Sequence, residues 1–373
     1  MDRFGEKVLC NPTVKLTKGT KYSLIDIDKI IPGYKWVTNQ EVVEYSGQSG
    51  AKFEDGDILF ARITPCLENG KMAIAKTDGQ KGIGSTELFV FRGIDNMSVT
   101  DYVYYLLCMK HIRQLAANSM TGASGRQRAD LTFIKRIKWQ FPSVQDQNRI
   151  VSVLSAYDSL IEKNNKRIKA LEQMAENLYK EWFVRFRFPG HENAEFENGI
   201  PKDWKVKKIK DIVKRLPFGI LYKAENTESE GKVIVIDQSQ DEFVGFHNDE
   251  PSHIASIEKP IALFGDHSCK YQLMITPFSL SENVIPYIGV SGIQTSYLFY
   301  LTKGIIETTE YKRHWTEFVS RKVLVAPINL QMQFVKILES IHSENQILKR
   351  KNRNLNKQRD LLLPRLMSGK LEL

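Results

Sequence analysis

Apolar residues recur in alternating steps of four and three along two long stretches of the chain. In the first, from Gln147 to Phe188, they are Ile150, Leu154, Tyr157, Ile161, Ile168, Leu171, Ala175, Leu178 and Trp182. In the second, from Gln331 to Met367, they are Phe334, Leu338, Ile341, Leu348, Leu355, Leu362 and Leu366. Asn164, Asn345, Asn352 and Arg359 fall on the same stripes. A mean step of about 3.5 residues keeps an apolar stripe facing a partner helix, so the pattern predicts two long helices paired as a coiled coil. The two stretches superpose at a constant offset of 184 residues, the spacing from Gln147 to Gln331. Each follows a proline, Pro142 or Pro327, which is tolerated ahead of a helix but not within one. Ile150, Leu154, Ile161, Ile168, Leu171 and Leu178 should meet Leu338, Ile341, Leu348, Leu355 and Leu362 in the seam. The asparagines either fix register at some cost in stability or mark a locally solvated break.

Between the stripes the period shortens. Asp55-Gly56-Asp57 precedes the apolar run Ile58-Leu59-Phe60-Ala61, and Glu68-Asn69-Gly70 precedes Met72-Ala73-Ile74-Ala75, a pattern of short strands and turns. Tyr102 to Leu115 then has mixed helical periodicity, which Thr121-Gly122-Ala123-Ser124-Gly125 breaks. The later part repeats this order loosely: Ile261-Ala262-Leu263-Phe264 answers Ile58 to Ala61, Glu282-Asn283 echoes Glu68-Asn69, and Tyr297 to Leu301 echoes Tyr102 to Leu106. The expected fold is α+β: a tandem with globular domains at 1–141 and 189–326 and long helices at 142–188 and 327–373. A pseudo-twofold tandem requires those helices to pair antiparallel within one chain.

At 373 residues the chain is long enough for about two cores. No segment approaches the roughly 20 apolar residues of a membrane span. The start, Met1 to Glu6, lacks the apolar region of a signal peptide, so a cytoplasmic protein is expected. Cys10, Cys66, Cys108 and Cys269 have no paired spacing, which argues against a disulfide framework or zinc knuckle. A formal charge of +9 favours a polyanionic partner. Lys349, Arg350, Lys351, Arg353, Lys357, Arg359 and Arg365 crowd the second stripe, either as a solvated face or as one that meets phosphates or an acidic surface.

Enzymatic motifs are incomplete. There is no Asn-Pro-Pro-aromatic or Asp-Pro-Pro-aromatic tetrapeptide for adenine methylation and no Walker phosphate loop. Gly82-Ile83-Gly84 lacks the third glycine of a dinucleotide fingerprint, Glu87 standing in its place, and reads as a turn. His191 to Glu195 ends in glutamate where a zinc-protease helix needs histidine, and Glu310-Tyr311-Lys312 lacks an aspartate to complete a nuclease site. Neither catalytic, cofactor-binding nor metal-binding residues are expected. The candidates are for DNA binding: Arg62 after the first strand of the pair, Lys71 beside the second, and Arg126, Gln127 and Arg128 after the glycine-containing loop. Arg pairs bidentately with guanine and Gln with adenine, although an anchored, solvated loop would look similar. His267 and Lys270 stand near the position equivalent to Ala61-Arg62, where His267 is equally readable as a core histidine.

Pro142-Ser143-Val144-Gln145-Asp146-Gln147-Asn148-Arg149-Ile150-Val151 and the run Leu171 to Phe186 resemble the central helical region of type I restriction-modification specificity subunits. Leu361 to Gly369 resembles that family's terminal stretch, and Gly122 to Arg128 the close of its first target-recognition domain. The resemblance spans the full length and implies a DNA-reading subunit without catalysis of its own. It implies target-recognition domains at opposite ends of an antiparallel coiled coil, each reading half of a split DNA site, with the helices setting the gap. It also implies two methyltransferase subunits that use S-adenosylmethionine on adenine N6, joined by restriction subunits. A DNA-modifying or DNA-cleaving enzyme, or a coiled-coil adaptor without DNA affinity, are the competing readings.

Overall fold

The computed structural model describes residues 1–38, 41–123, 126–239, 241–307, 310 and 312–371. They form two compact units, Met1–Asn165 with Lys351–Leu373, and Lys166–Arg350. Ser124 and Gly125 of the glycine-containing loop, and Tyr311, lie outside the described residues.

The first unit is built on a five-stranded sheet ordered β1 (Val8–Cys10), β9 (Leu88–Gly93), β6 (Ile58–Ala61), β7 (Met72–Ala75) and β3 (Trp36–Val37). A four-stranded sheet, ordered β4 (Val42–Glu44), β2 (Lys21–Ile25), β8 (Gly82–Gly84) and β5 (Ala51–Phe53), lies against its other face. Alternation along β6 divides the core. Ile58 and Phe60 pack with the helix α1 (Thr100–Cys108), while Leu59 and Ala61 face the second sheet with Ile25 and Phe53. The segment Gly82–Gly84 is thus a buried strand rather than a turn. Its glycines are required by close approach: a Cβ on Gly82 would meet the Phe53 ring at 2.2 Å, and one on Gly84 the Ile25 carbonyl at 2.3 Å.

The second unit repeats this plan. Its sheet runs β10 (Val213–Arg215), β16 (Val284–Gly289), β13 (Ile261–Gly265) and β14 (Tyr271–Met274), the order of β1, β9, β6 and β7. Beside it β11 (Val233–Ile236) joins β12 (Gly245–His247) and, in parallel, β15 (Phe278–Leu280), as β2 joins β8. Glu282-Asn283 therefore corresponds to the Ser85 to Glu87 turn, not to Glu68-Asn69. Sequence echo misassigned it because both are acid-amide pairs at strand ends.

The long helices α4 (Val144–Tyr179) and α7 (Ile328–Met367) contribute to both units. Within the first unit, Ile150 and Leu154 of α4 share a core with Leu363, Leu366 and Met367 of α7 and with Phe4 and Tyr102. Within the second, Ala175, with Trp182 and Phe183 just past the end of α4, packs with Phe334, Leu338 and Ile341. The pairing is antiparallel in each. Asp158 meets Arg359 and Asn164 meets Asn352 in the first unit; Arg167 meets Glu344 in the second. Ile161, Ile168 and Leu348 are buried, and Leu171, Leu178, Leu355 and Leu362 partly so. Arg359, read above as part of a charged face, turns inward instead because Asp158 waits there. Pro364 lies within α7, three residues before its last, Met367.

The same glutamine begins each helix. Gln147 is fully buried, accepts from Val99 N at 2.8 Å and donates to the Met97 and Pro142 carbonyls at 3.1 and 3.0 Å. Gln331, at the repeat position, accepts from Gln294 N at 3.1 Å and donates to the Ala326 carbonyl at 2.8 Å. These side chains satisfy backbone groups at the start of the domain helices α1 and α5 (Thr295–Thr302).

Candidate nucleic-acid interface

At the end of β6 the chain leaves the sheet at Arg62. The Arg62 amide donates to the Glu87 carbonyl at 3.0 Å, and its carbonyl accepts from Ala129 N at 2.8 Å. Thr64 N donates to the Gln127 carbonyl at 3.0 Å, and Thr121 and Arg128 exchange backbone bonds at 3.1 and 3.0 Å. Gly122, at φ +122°, supplies the backbone conformation this loop needs. Three segments remote in sequence thus converge at one rim.

Their side chains meet on Glu87. Arg128 donates from Nε at 2.9 Å and from Nη2 at 2.6 Å, and its Nη1 donates to the Arg126 carbonyl at 3.2 Å. Arg62 donates from Nε alone, at 3.4 Å, with its guanidinium 5.3 Å from the Phe89 ring centroid. Hydrogen bonding from Arg128 holds the Glu87 carboxyl below the usual carboxylate range against desolvation, and Arg62 adds to the effect. Arg126 is exposed, Gln127 partly buried. Arg62 also lines a cleft of about 410 Å³ with Asn11, Lys52 and Thr86.

The other candidates are held internally. Lys71 donates from Nζ to the Ile27 carbonyl at 3.1 Å. In the second unit Lys270 donates to the Asp237 and Asp241 carbonyls at 3.2 and 2.5 Å, and burial pulls its ammonium pKa down. The His267 amide donates to Gln238 Oε1 at 3.2 Å. Asp266 stands where Arg62 stands in the first unit, its amide donating to the Asn283 carbonyl at 2.8 Å. Its carboxylate accepts from His314 N and Trp315 N at 3.0 and 2.8 Å, capping α6 (Trp315–Ser320).

The sequence marks Glu87 only as an interruption of a glycine pattern and carries no signal for Asp158. Among the described residues no group of three or more His, Cys, Asp or Glu is arranged to hold a metal. All four cysteines are free, and burial pushes Cys10 up to about 11 and Cys108 to about 12. No described helix is long and apolar enough to cross a membrane.

Fold and rim together define a duplicated α+β protein whose paired domains share topology and differ in the charges they present. Residues 13–173 match the model of the family described as type I restriction modification DNA specificity domain. The similarity continues well beyond it. The chain is 26% identical over 371 residues to the type I restriction enzyme MjaIX specificity subunit of Methanocaldococcus jannaschii, covering 86% of this chain and 78% of that protein. It is 25% identical over 385 residues to the putative MjaX specificity subunit of the same organism, covering 94% and 84%. Among solved structures, the S subunit of a type I restriction-modification system from M. genitalium superposes with a TM-score of 0.52 at 15% identity, over 98% of this chain and 94% of that one. That likeness is one of fold.

Proposed function

We propose that the chain is the DNA specificity subunit of a type I restriction-modification complex. The observation that carries this reading is the repeated domain topology, with unlike side chains at equivalent rim positions, combined with helices that pair antiparallel in each unit. Frames that must assemble keep their residues; surfaces that read different sequences diverge. The chain itself is not the enzyme. It reads a bipartite, asymmetric DNA site with domains at 1–141 and 189–326, on a pseudo-twofold, antiparallel coiled coil formed by the helical regions 142–188 and 327–373. Two methyltransferase subunits dock on this scaffold and supply S-adenosylmethionine chemistry at adenine N6, restriction subunits join them, and the assembly works in the cytoplasm. This chain binds no cofactor of its own.

Exchange of residues 1–141 for the matching domain of a relative tests the proposal. Methylome sequencing of the host should show one half of the methylated site changed and the other half retained. Alteration of both halves together, or methyl transfer by the purified chain alone, overturns it.

A further inference from the structure

Arg62 and Arg128 are equal as sequence candidates, and the structure separates them. All the donor nitrogens of Arg128 have partners: Nε and Nη2 on Glu87, Nη1 on the Arg126 carbonyl. It closes the loop that carries it. Arg62 is engaged only through Nε, and among the described residues Nη1 and Nη2 have no partner. Glu87 and the Phe89 ring hold the guanidinium from one side, and the cleft with Asn11, Lys52 and Thr86 lies beside it. An arginine held at Nε with both terminal nitrogens free presents two parallel donors, the geometry that matches O6 and N7 of guanine in the major groove.

Resting on the reading of the chain as a DNA specificity subunit, we infer that Arg62 is the guanine-reading residue of the first domain, with Glu87 its positioning residue. Glu87 has a second consequence. An unpaired carboxylate at a DNA surface repels phosphate, whereas this one is paired to two guanidinium groups and leaves the rim net positive. The second domain has Asp266 at the corresponding place, its carboxylate consumed by the α6 cap, so it lacks a guanine reader there. One topological position thereby gives the two domains different base preferences.

The experiment is selection of bound sequences from a randomised duplex DNA pool, using the full chain in complex with its methyltransferase subunits, for wild type, Arg62→Lys, Arg62→Ala, Glu87→Gln and Arg128→Lys. Lysine keeps the charge but not the fork. Arg62→Lys and Arg62→Ala should both reduce preference for one G·C pair in one half-site by about 5- to 150-fold, the equivalent of roughly 1–3 kcal/mol. The other half-site should be unchanged. Glu87→Gln should weaken preference at that same pair and, because it also loosens Arg128, lower thermal stability no further than Arg128→Lys does. Arg128→Lys should leave base preference intact and lower thermal stability of the first domain. A uniform loss of affinity in Arg62→Ala, with a shallower salt dependence and full rescue by lysine, marks Arg62 as a phosphate contact and overturns the inference. So does an unaltered preference in Arg62→Lys. If the wild-type complex enriches no sequence, the specificity-subunit reading itself fails.

Discussion

Asp158 on one long helix and Arg359 on the other meet at 2.5 Å, both largely buried. Tyr105 of the first domain donates to the same carboxylate at 2.5 Å, and Lys35, itself buried, donates to Ser155 Oγ at 2.8 Å and pairs with Asp101 at 2.5 Å. Burial opposes the charge on Arg359, but Asp158 and Asp360 override it and hold the guanidinium more firmly protonated. Desolvation offsets most of the attraction in such a pair, whereas removal of one partner strands a buried charge. Arg359→Met should therefore cost about 3–5 kcal/mol. The double variant Asp158→Leu with Arg359→Met should cost clearly less than the sum of the single changes. Urea unfolding of all four proteins provides the cycle, and additive losses would count against a stabilising role for the pairing.

Gln147 and Gln331 should respond alike. Alanine at either position leaves a half-buried backbone amide and one or two carbonyls without partners, a loss of about 1–3 kcal/mol. Protection of the Val99 amide in Gln147→Ala, and of the Gln294 amide in Gln331→Ala, should fall in hydrogen exchange. Protection equal to wild type would mean that the backbone finds other partners.

His342 occupies, in the second helix, the repeat position of Asp158, and Ala175 takes the place of Arg359. Among the described residues no ion pair forms there. Burial lowers the His342 pKa from 6.5 to about 4. Because the folded pKa is depressed, the unfolded chain binds more protons between these values, so stability is full above pH 6.5 and falls as the pH drops toward 4. The loss should be about 2 kcal/mol at pH 5 and about 3 kcal/mol at pH 4. Burial also lowers the pKa of His253, which is present in both the His342→Leu variant and wild type and so leaves the difference between them to His342. His342→Leu should flatten the pH dependence of urea unfolding between pH 7.5 and 5; matching slopes in variant and wild type would refute the assignment.

Along the seam, burial grades the cost of truncation. Leu154 and Leu338 are fully buried, so Leu→Ala at either should destabilise by about 2–5 kcal/mol. Leu171 and Leu355 are partly exposed, and the same change there should cost roughly 1 kcal/mol because part of each side chain already meets water. Thermal unfolding ranks the four variants; equal shifts would contradict the burial pattern.

The long helices were legible because their signal is one-dimensional: a repeating step, a leading proline and a duplicated Gln147 and Gln331. The unlike domains were legible only in strand order. The stripe pointed to Tyr157, whereas the neighbouring Asp158 is the buried residue, since only Tyr105 and Arg359, 53 and 201 residues away, make its burial tolerable. Charge type alone nominated Lys71 and Lys270, but whether a lysine reaches outward or into nearby carbonyls depends on loops that pack around it. Glu87 was unreadable for the same reason. Its meaning comes from Arg62 and Arg128, which only the fold brings to it.

A chain made by duplication carries a hazard, because either of its long helices can mistake a second copy of itself for its partner while the polypeptide is still emerging. The Asp158–Arg359 pair penalises that error. If α4 paired with another α4 in the same antiparallel register, Asp158 would face Ala175 instead of Arg359, and each mismatched dimer would bury two unanswered carboxylates. The ion pair, of little net benefit to the correctly folded chain, would weigh chiefly against that mispairing.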